Sequence, residues 1–577
     1  MALPRRHLFI ALALAAAAWS TSVVPAPAAG AVAGAELVTS PARAPAAAAL
    51  RPVERDVLVH GGTPAGVTAA IAAAERGASV TLMAEGSTVG GVMSNGVSAS
   101  DIGSSVAVQG LAATFFDRVR RYYRGSSEWR FEPRIAEWIF RDMLADAGVD
   151  VRLGVRLGAV RLADRRIACV TPVGAAEICA RTYVDASYTG DLIAAAGVPH
   201  RLGTADLRAH DEYMAAQRGW FEVLTVPAAE AGQARAAFER NPFVRTESAA
   251  RPYDETARLG MPSLTYRLCV TRDEENRTPF QRGHRYDTWL PSFRLLVAST
   301  GPGVQRRANG TLMSDLFHLA ELPGGKYDLN AGRASFTNVP APANYFDSWS
   351  SRRRTDRELR AYVGAFYHFV QHDPSVPATV QKAFRSFGLC ADEFADNGNW
   401  PREPYVREAR RIEGRHTVTV HDIYTDRQKT DAIALGSYDV DAKLSQVVFA
   451  DGTLYRDLGM HSTAPVYEIP YSAMVPARGG ITNLLAPVGI SASPTAYGSL
   501  RMEPQYMALG QAAGVAAALA TKSRESVAAL PAKRVQRALY ADGVSFRAAD
   551  VCRDTPLGWR AAGGYTGDCR IRPVQPG

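Results

Sequence analysis

The chain has 577 residues, 47% of them hydrophobic and 21% charged, an ordinary globular composition with length for about three or four domains. Its formal net charge is +8, but the basic residues are dispersed and no nucleic-acid-binding module accompanies them, which excludes a nucleic-acid partner. The densest basic cluster, SRRRTDR at 351–357, reads as a solvated surface run of Arg352, Arg353 and Arg354.

The N-terminus, MALPRRHLFIALALAAAAW, has a basic stretch followed by an apolar run from Leu8 to Trp19. That run is short for a bilayer span and has the layout of a targeting segment. Arg5-Arg6 followed by HLF resembles a twin-arginine signal. Small-residue sites at Ala26–Ala28 and Ala29–Ala31 offer cleavage points. Residues 1–31 are therefore expected to be a twin-arginine-like signal peptide and 32–52 a flexible leader, with the mature protein exported to the cell envelope or beyond. No later segment is apolar enough for an integral membrane span.

DVLVHGG (56–62) reads as a buried parallel strand. AGVTAAIAAAERG (65–77) follows as a helix with Val67, Ala70, Ile71 and Ala74 on one face and Gly77 as its stop. ASVTLMAE (78–85) is a second strand, ending on Glu85. Together they form a βαβ unit whose turn nearly matches the dinucleotide fingerprint G-x-G-x-x-G. Gly61 and Gly66 hold the outer places and Thr63 the middle one. Gly61, Gly62, Thr63, Pro64, Ala65 and Gly66 are the expected pyrophosphate turn, with amide groups and the positive dipole end of the helix directed at the phosphates. Thr63 can serve if its side chain turns away or if its hydroxyl bonds the phosphate. Glu85, 24 residues after Gly61, is placed to accept from ribose hydroxyls and would repel a 2′-phosphate. A Gly/Ser loop, GSTVGGVMSNGVSASDIG (86–103), comes next, and Gly90-Gly91 lets it run close to a long ligand.

Residues 132–148 read as an amphipathic helix, and VDVRLGVRLGAVRLADRRIACV and AEICARTYVDAS as strands of a meander returning to the sheet. Asp185, Ala186, Gly190 and Asp191 sit at the end of its last strand, the edge at which open α/β sheets bind ligands. None of the six cysteines has C-x-x-C spacing, which speaks against a metal site, an iron–sulfur cluster or a dithiol centre. Cys169 could face Cys179 across a hairpin at Gly174, and Cys552 could pair with Cys569; separate buried thiols remain open for both pairs. ELRAYVGAFYHFVQHDP (358–374) and YVREARRIEGRHTVTVHDI (405–423) read as helices or helix–strand pieces. RMEPQYMALGQAAGVAAALA (501–520) is a helix whose small face, Gly510, Ala513, Gly514 and Ala517, allows close packing on the sheet.

The blocks GGTPAGVTAAIAAAERGASVTLMAE and VGGVMSNGVSASDIG resemble FAD-dependent oxidoreductases with a glutathione-reductase-like FAD domain. Within them they resemble a broad bacterial family related to the flavoprotein module of heterodisulfide reductase. YVDASYTGDLIAAAGVPHRLG, YRLCVTRDEENRTPF, GLCADEFADNGNWPREPYVREARRIEG, YEIPYSAMVPA and LLAPVGISASPTAYGSLRMEPQYMALGQAAGVAAALA match as well, so the resemblance spans most of 53–520. It implies an α/β fold: a Rossmann-like FAD/NAD(P)-binding domain, with parallel sheet and β-meander, carrying a large inserted α+β substrate domain. The FAD domain would be split into 53–205 and 465–520, with 206–464 inserted and 521–577 a C-terminal extension. The resemblance makes Thr63 a subfamily feature and places non-covalent FAD near Val155, Gly90, Gly91, Asp185, Ala186, Gly190 and Asp191. It points the start of the last helix, around Arg501 and Glu503, at the flavin.

The implied function is an exported FAD-dependent oxidoreductase transferring hydride between flavin and a small organic or sugar-like substrate. The alternatives are a flavoprotein with isomerase- or hydratase-like chemistry, a non-enzymatic nucleotide- or carbohydrate-associated protein and, more weakly, a nicotinamide enzyme. Taking hydride from a C–H that bears OH or NH needs a base. His421 (beside Asp422), Tyr497 and Ser493 are the candidates. Relatives are expected to carry a histidine where this chain has Pro494.

Overall fold

The computed structural model describes residues 51–203, 221–226, 231–247, 263–307, 311–332, 337–442, 447–457 and 460–552. The expected signal peptide, nearly all of the leader and Cys569 lie outside the described residues.

VERDVLVH forms strand β1 (Val53–His60), fully buried over its last four residues, and VTLM forms β2 (Val80–Met83). Helix α1 (Pro64–Ala74) joins them, with Pro64 in the first turn, where a missing N–H costs little. Helices α2 (Gly110–Tyr122) and α3 (Pro133–Asp146) bring the chain to β3 (Asp150–Arg152), and the meander follows as β4 (Leu157–Ala163), β5 (Arg166–Pro172) and β6 (Ile178–Asp185). The sheet order is β3-β2-β1-β6-β5-β4. The pairs β3–β2, β2–β1 and β1–β6 are parallel, while β6–β5 and β5–β4 are antiparallel. Along one edge of β6, β5 pairs with Ile178 and Cys179, and the strand Leu484–Leu485 takes over in parallel at Tyr183 and Val184. The chain thus leaves this sheet after β6 and returns to it hundreds of residues later.

The intervening residues build a second, all-antiparallel sheet. Its order is Arg277–Thr278, Gly388–Cys390, Leu268–Thr271, Lys326–Ala331, Phe317–Glu321, Leu312–Ser314 and Val304–Arg306. The long helix Trp349–His372 sets Tyr362, Phe366 and Phe369 against Trp289 and Phe293 of the helix Tyr286–Thr300, with ring centroids 5.2–5.4 Å apart. Such aromatic packing adds specificity to a large apolar burial. The 405–423 stretch resolves into short strands, Tyr405–Val406 and Arg411–Ile412, and one short helix, Val420–Tyr424.

Cys169 and Cys179 are directly opposite on β5 and β6 and form a disulfide. A second disulfide, Cys269–Cys390, joins neighbouring strands of the second sheet across 121 residues of sequence. That pairing left no local trace in the sequence. Cys552 is also disulfide-bonded.

The helix Glu503–Ser523 makes its closest approach to α1 rather than to the sheet. A methyl group on Gly510 would stand 2.1 Å from the Ala65 carbonyl oxygen, and one on Gly514 2.1 Å from that of Ala69. The Thr68 hydroxyl donates to the Met507 carbonyl at 2.8 Å, locking the crossing.

Candidate functional site

The site begins where β1 and β6 end side by side, His60 opposite Asp185. Two positions of the turn after β1, residues 61 and 66, are sterically closed to anything larger than glycine. Gly61 has φ +113°, and a side chain there would meet the Ser187 nitrogen at 2.5 Å. A side chain on Gly66 would stand 1.9 Å from the Gly61 carbonyl oxygen. Thr63 caps α1: its hydroxyl accepts from the Gly66 amide (3.2 Å) and donates to the Ala186 carbonyl (2.7 Å). The hydroxyl is therefore committed to the protein. The Gly/Ser loop folds back over the turn, with the Gly90 and Gly91 amides donating to the Gly62 carbonyl at 2.7 and 3.1 Å.

A cleft of about 570 Å³ opens over this turn, lined among others by Gly61, Thr63, Glu85, Tyr188, Arg352 and Glu403. Glu85 lies within it with one oxygen, Oε1, buried and without a hydrogen-bond partner. Its other oxygen is 3.5 Å from Arg352 Nη2. Burial pushes the Glu85 pKa up, helped by Asp191 and opposed by Arg352. Glu403 lines the same cleft and is pushed up to about 7, first by burial and then by Glu85 and Asp356.

Several sequence expectations change here. Asp185 is wholly buried, and its oxygens are spent on the Ser187 amide and hydroxyl, the Ile193 amide and His60. It builds the turn instead of facing the cleft. Ala186 is also sealed, with Gly190 (φ +65°) donating to the Ser187 hydroxyl. Asp191 does line the cleft but is held by Arg352 and by Arg410 at 2.7–3.1 Å. Arg352 is thus an ion-paired residue with a side chain 11% exposed, which corrects its reading as part of a solvated run. Val155 lies beside β2, its amide donating to the Ala84 carbonyl.

His60, Tyr188 and Arg352 line the cleft without having been singled out from the sequence. His60 is buried within 3.4 Å of Asp185; burial opposes its charge, but Asp185, with Asp191 and Glu85, outweighs this and raises its pKa. Position directly before the first glycine was the only signal available for His60, and Arg352 had only a charge run that pointed elsewhere.

Tyr188 connects this end of the site to the helix Glu503–Ser523. Its hydroxyl accepts from the Val92 amide (3.1 Å) and donates to Glu503 Oε1 (2.9 Å). Glu503 Oε2 and both amide atoms of Gln505 are buried without partners. Burial holds the Glu503 pKa up at about 8, against Tyr188 and Arg501, so the carboxyl is neutral at pH 7. Arg501 donates to the Tyr405 hydroxyl (2.6 Å) and to Asp441.

The three base candidates are elsewhere or otherwise engaged. His421 is exposed, and the neighbouring Asp422 turns instead to His416 (3.0 Å), Lys429 (2.9 Å) and the cap of its own short helix. Ser493 caps the helix Pro494–Leu500 by accepting from the Ala496 amide, and Pro494 occupies that helix's first turn. Tyr497 is buried, bonded to the Val488 carbonyl (2.8 Å) and the Tyr506 hydroxyl (2.6 Å). Ser493 and Tyr497 thus have structural tasks, and His421 faces solvent.

The residues fit FAD on the structure's own terms. A glycine turn at a helix start suits a pyrophosphate, the unpartnered Glu85 oxygen suits a ribose hydroxyl, and the unpartnered Glu503 and Gln505 atoms suit a polar ring edge. No curated protein matches the chain. Among solved structures, the flavin-dependent brominase Bmp2 aligns at 10% identity over 85% of this chain and 83% of its own, with TM-score 0.35. The myxobacterial chondrochloren halogenase CndH, a variant of FAD-dependent halogenases, aligns at 13% identity over 63% and 67%, with TM-score 0.29. L-proline dehydrogenase from P. horikoshii aligns at 17% identity over 26% and 24%, with TM-score 0.17. Likenesses this loose carry no functional argument. The family model described as FAD dependent oxidoreductase, by contrast, matches residues 56–539, from the first residues of the nucleotide strand past the closing helix, and the chain belongs to that family.

Proposed function

We propose that this FAD-dependent enzyme is exported and moves a hydride between flavin and a small organic, sugar-like substrate. The observation that carries the cofactor half is Glu85, a half-buried carboxylate whose Oε1 is buried and unpartnered, beside a turn that admits only glycine at residues 61 and 66. Bound FAD would supply the hydride acceptor or donor. The chain's own residues hold and orient it. The start of α1 would hold the pyrophosphate, Glu85 the ribose, and the first turn of Glu503–Ser523 the ring system. Glu503, neutral at pH 7, offers a hydrogen-bond donor there, and the Gln505 amide offers both a donor and an acceptor. The segment 206–464 is read as the substrate domain.

Two features support export. Arg5-Arg6 precedes an apolar run of signal-peptide length, and Cys169–Cys179 and Cys269–Cys390 are disulfides, which persist in oxidising compartments. A twin-arginine route would let FAD load before export.

The purified protein should show a flavin absorption spectrum, and anaerobic titration with polyols, sugars and amines should bleach it. A colourless protein that takes up no FAD removes the proposal. A yellow protein that converts a substrate without net redox change would move the assignment to isomerase- or hydratase-like chemistry. In a strain lacking the twin-arginine translocase the protein should accumulate in the cytoplasm; undiminished export overturns that part.

A further inference from the structure

Six cationic side chains are buried among the described residues: Arg267, Lys326, Arg407, Arg411, Lys429 and Arg501. Five of them meet a carboxylate. Arg267 pairs with Asp328, Lys326 with Glu132 and Glu393, Arg411 with Glu408, Lys429 with Asp422, and Arg501 with Asp441. Arg407, 4% exposed, pairs with no carboxylate among the described residues. Its Nη1 donates to the Asn338 side-chain oxygen (2.7 Å), the Ser263 hydroxyl (3.1 Å) and the Ser263 carbonyl (3.3 Å), all neutral acceptors. Burial first, then Arg501 and Arg267, pulls its pKa down to about 10 against the opposing pull of Tyr405 and Asp441, which leaves it charged at neutral pH. Burying a charge without a counter-charge is strongly unfavourable. A guanidinium held in place by neutral groups, with the rest of its fork left over, is built to receive an anion.

Its surroundings say where that anion would sit. The guanidinium carbon stands 4.7 Å from the centre of the Tyr405 ring. The Tyr405 hydroxyl accepts from Arg501, two residues before Glu503. Tyr405 packs in one apolar cluster with Val92 and Val97 of the Gly/Ser loop and with Tyr188, which hydrogen-bonds Glu503. Arg407 therefore stands beside the first turn of Glu503–Ser523. It is not among the lining of the nucleotide cleft, although its neighbour Val406 is.

We propose that Arg407 binds the carboxylate of the substrate, so that the enzyme acts on a small organic acid: a hydroxy acid, an amino acid or a sugar acid. This rests on the oxidoreductase reading above for the word substrate, but the anion site can be tested without it. Thermal midpoints would be measured for the full-length protein and its Arg407→Met and Arg501→Met variants, each with FAD content determined from absorbance. They would be measured in chloride and in the sodium salts of formate, acetate, lactate and gluconate at fixed ionic strength. In chloride, Arg407→Met should melt at least about 2 °C higher than the parent, because it removes an uncompensated buried charge, while Arg501→Met should melt lower. At least one carboxylate should raise the parent midpoint saturably, and Arg407→Met should lose that rise. FAD content should be equal in the parent and Arg407→Met. An Arg407→Met midpoint as depressed as that of Arg501→Met would make the residue structural and overturn the proposal. So would the failure of all four carboxylates to stabilise the parent. FAD lost from Arg407→Met but kept by the parent would assign Arg407 to the cofactor phosphates instead. A parent without flavin would sink the oxidoreductase reading, while the carboxylate arms would still decide the anion site.

Discussion

Thr63 shows how one residue can be legible in role and ambiguous in mechanism. Sequence spacing placed it in the pyrophosphate turn but allowed its hydroxyl either to bond a phosphate or to turn away. The structure commits the hydroxyl to the Gly66 amide and the Ala186 carbonyl. It is a helix cap and a tie between β1 and β6, so Thr63→Ala should cost about 1 kcal/mol of stability. FAD affinity should change by no more than about threefold, since the backbone facing the ligand is retained. Urea unfolding and fluorescence titration with FAD check the two halves. A large loss of FAD affinity at unchanged stability would give the hydroxyl back to the phosphate. Glu85 was readable for the same reason as Thr63: its place follows from local spacing. Arg352, Tyr188 and Arg407 were not, because Arg352 and Tyr188 take partners 161 and 315 residues away, and Arg407 is informative only through a carboxylate it lacks among the described residues. His421 failed in the opposite way. A His-Asp dipeptide suggests a base, but Asp422 bonds His416, which shares no local signature with it.

At the level of elements, strand–helix–strand order from β1 to β2 and the amphipathic α3 were plain in the pattern, since burial with period two or 3.6 writes itself into the sequence. The small-residue face of Glu503–Ser523 was equally plain, but not its partner. A run of small residues says that something comes close, and only the fold says that it is the backbone of α1. This makes the crossing a structural support for the cofactor turn, because α1 carries Thr63 and Gly66 at its start. Gly514→Ala would drive a methyl to within 2.1 Å of the Ala69 carbonyl oxygen unless the helices part. Such overpacking should cost about 1–3 kcal/mol. Displacement of α1 should also weaken FAD binding measurably, although residue 514 is about three turns from the expected ring system, as about 3.6 residues make a turn. An FAD affinity equal to the parent's would mean that the crossing supports stability alone.

For the whole molecule, the question is what couples the nucleotide-binding sheet to the second sheet. One answer is ionic and buried. Lys326, on the second sheet and 2% exposed, places its ammonium 2.5 Å from Glu132, 2.7 Å from Asp392 and 3.0 Å from Glu393. Glu132 stands at the residue preceding α3, and the Glu393 carboxylate accepts from the Arg134 amide in that helix's first turn. The three carboxylates are close enough to suggest a metal site, but the lysine already supplies the cation. Lys326→Met would leave Glu132 and Glu393 buried with only Arg134, whose side chain is 49% exposed, to balance them. Removing one partner of a buried ionic cluster costs about 3–5 kcal/mol. The pH dependence fixes the mechanism. Burial already raises the Glu393 pKa to about 6, against the pull of Lys326. Without the lysine it must rise further, so between its unfolded and folded values the native state holds a proton that the unfolded chain has lost. Stability then falls as pH rises through that window, more steeply in the variant than in the parent. The variant's deficit in denaturation midpoint should therefore be largest near pH 8 and shrink towards pH 5. Adding Glu393→Gln should recover part of it at pH 8 and little at pH 5. A deficit that stays constant with pH would show that Lys326 acts through the packing of its stem, leaving the coupling of the two sheets to other contacts such as the Ser98 and Ala99 amides on Asp328.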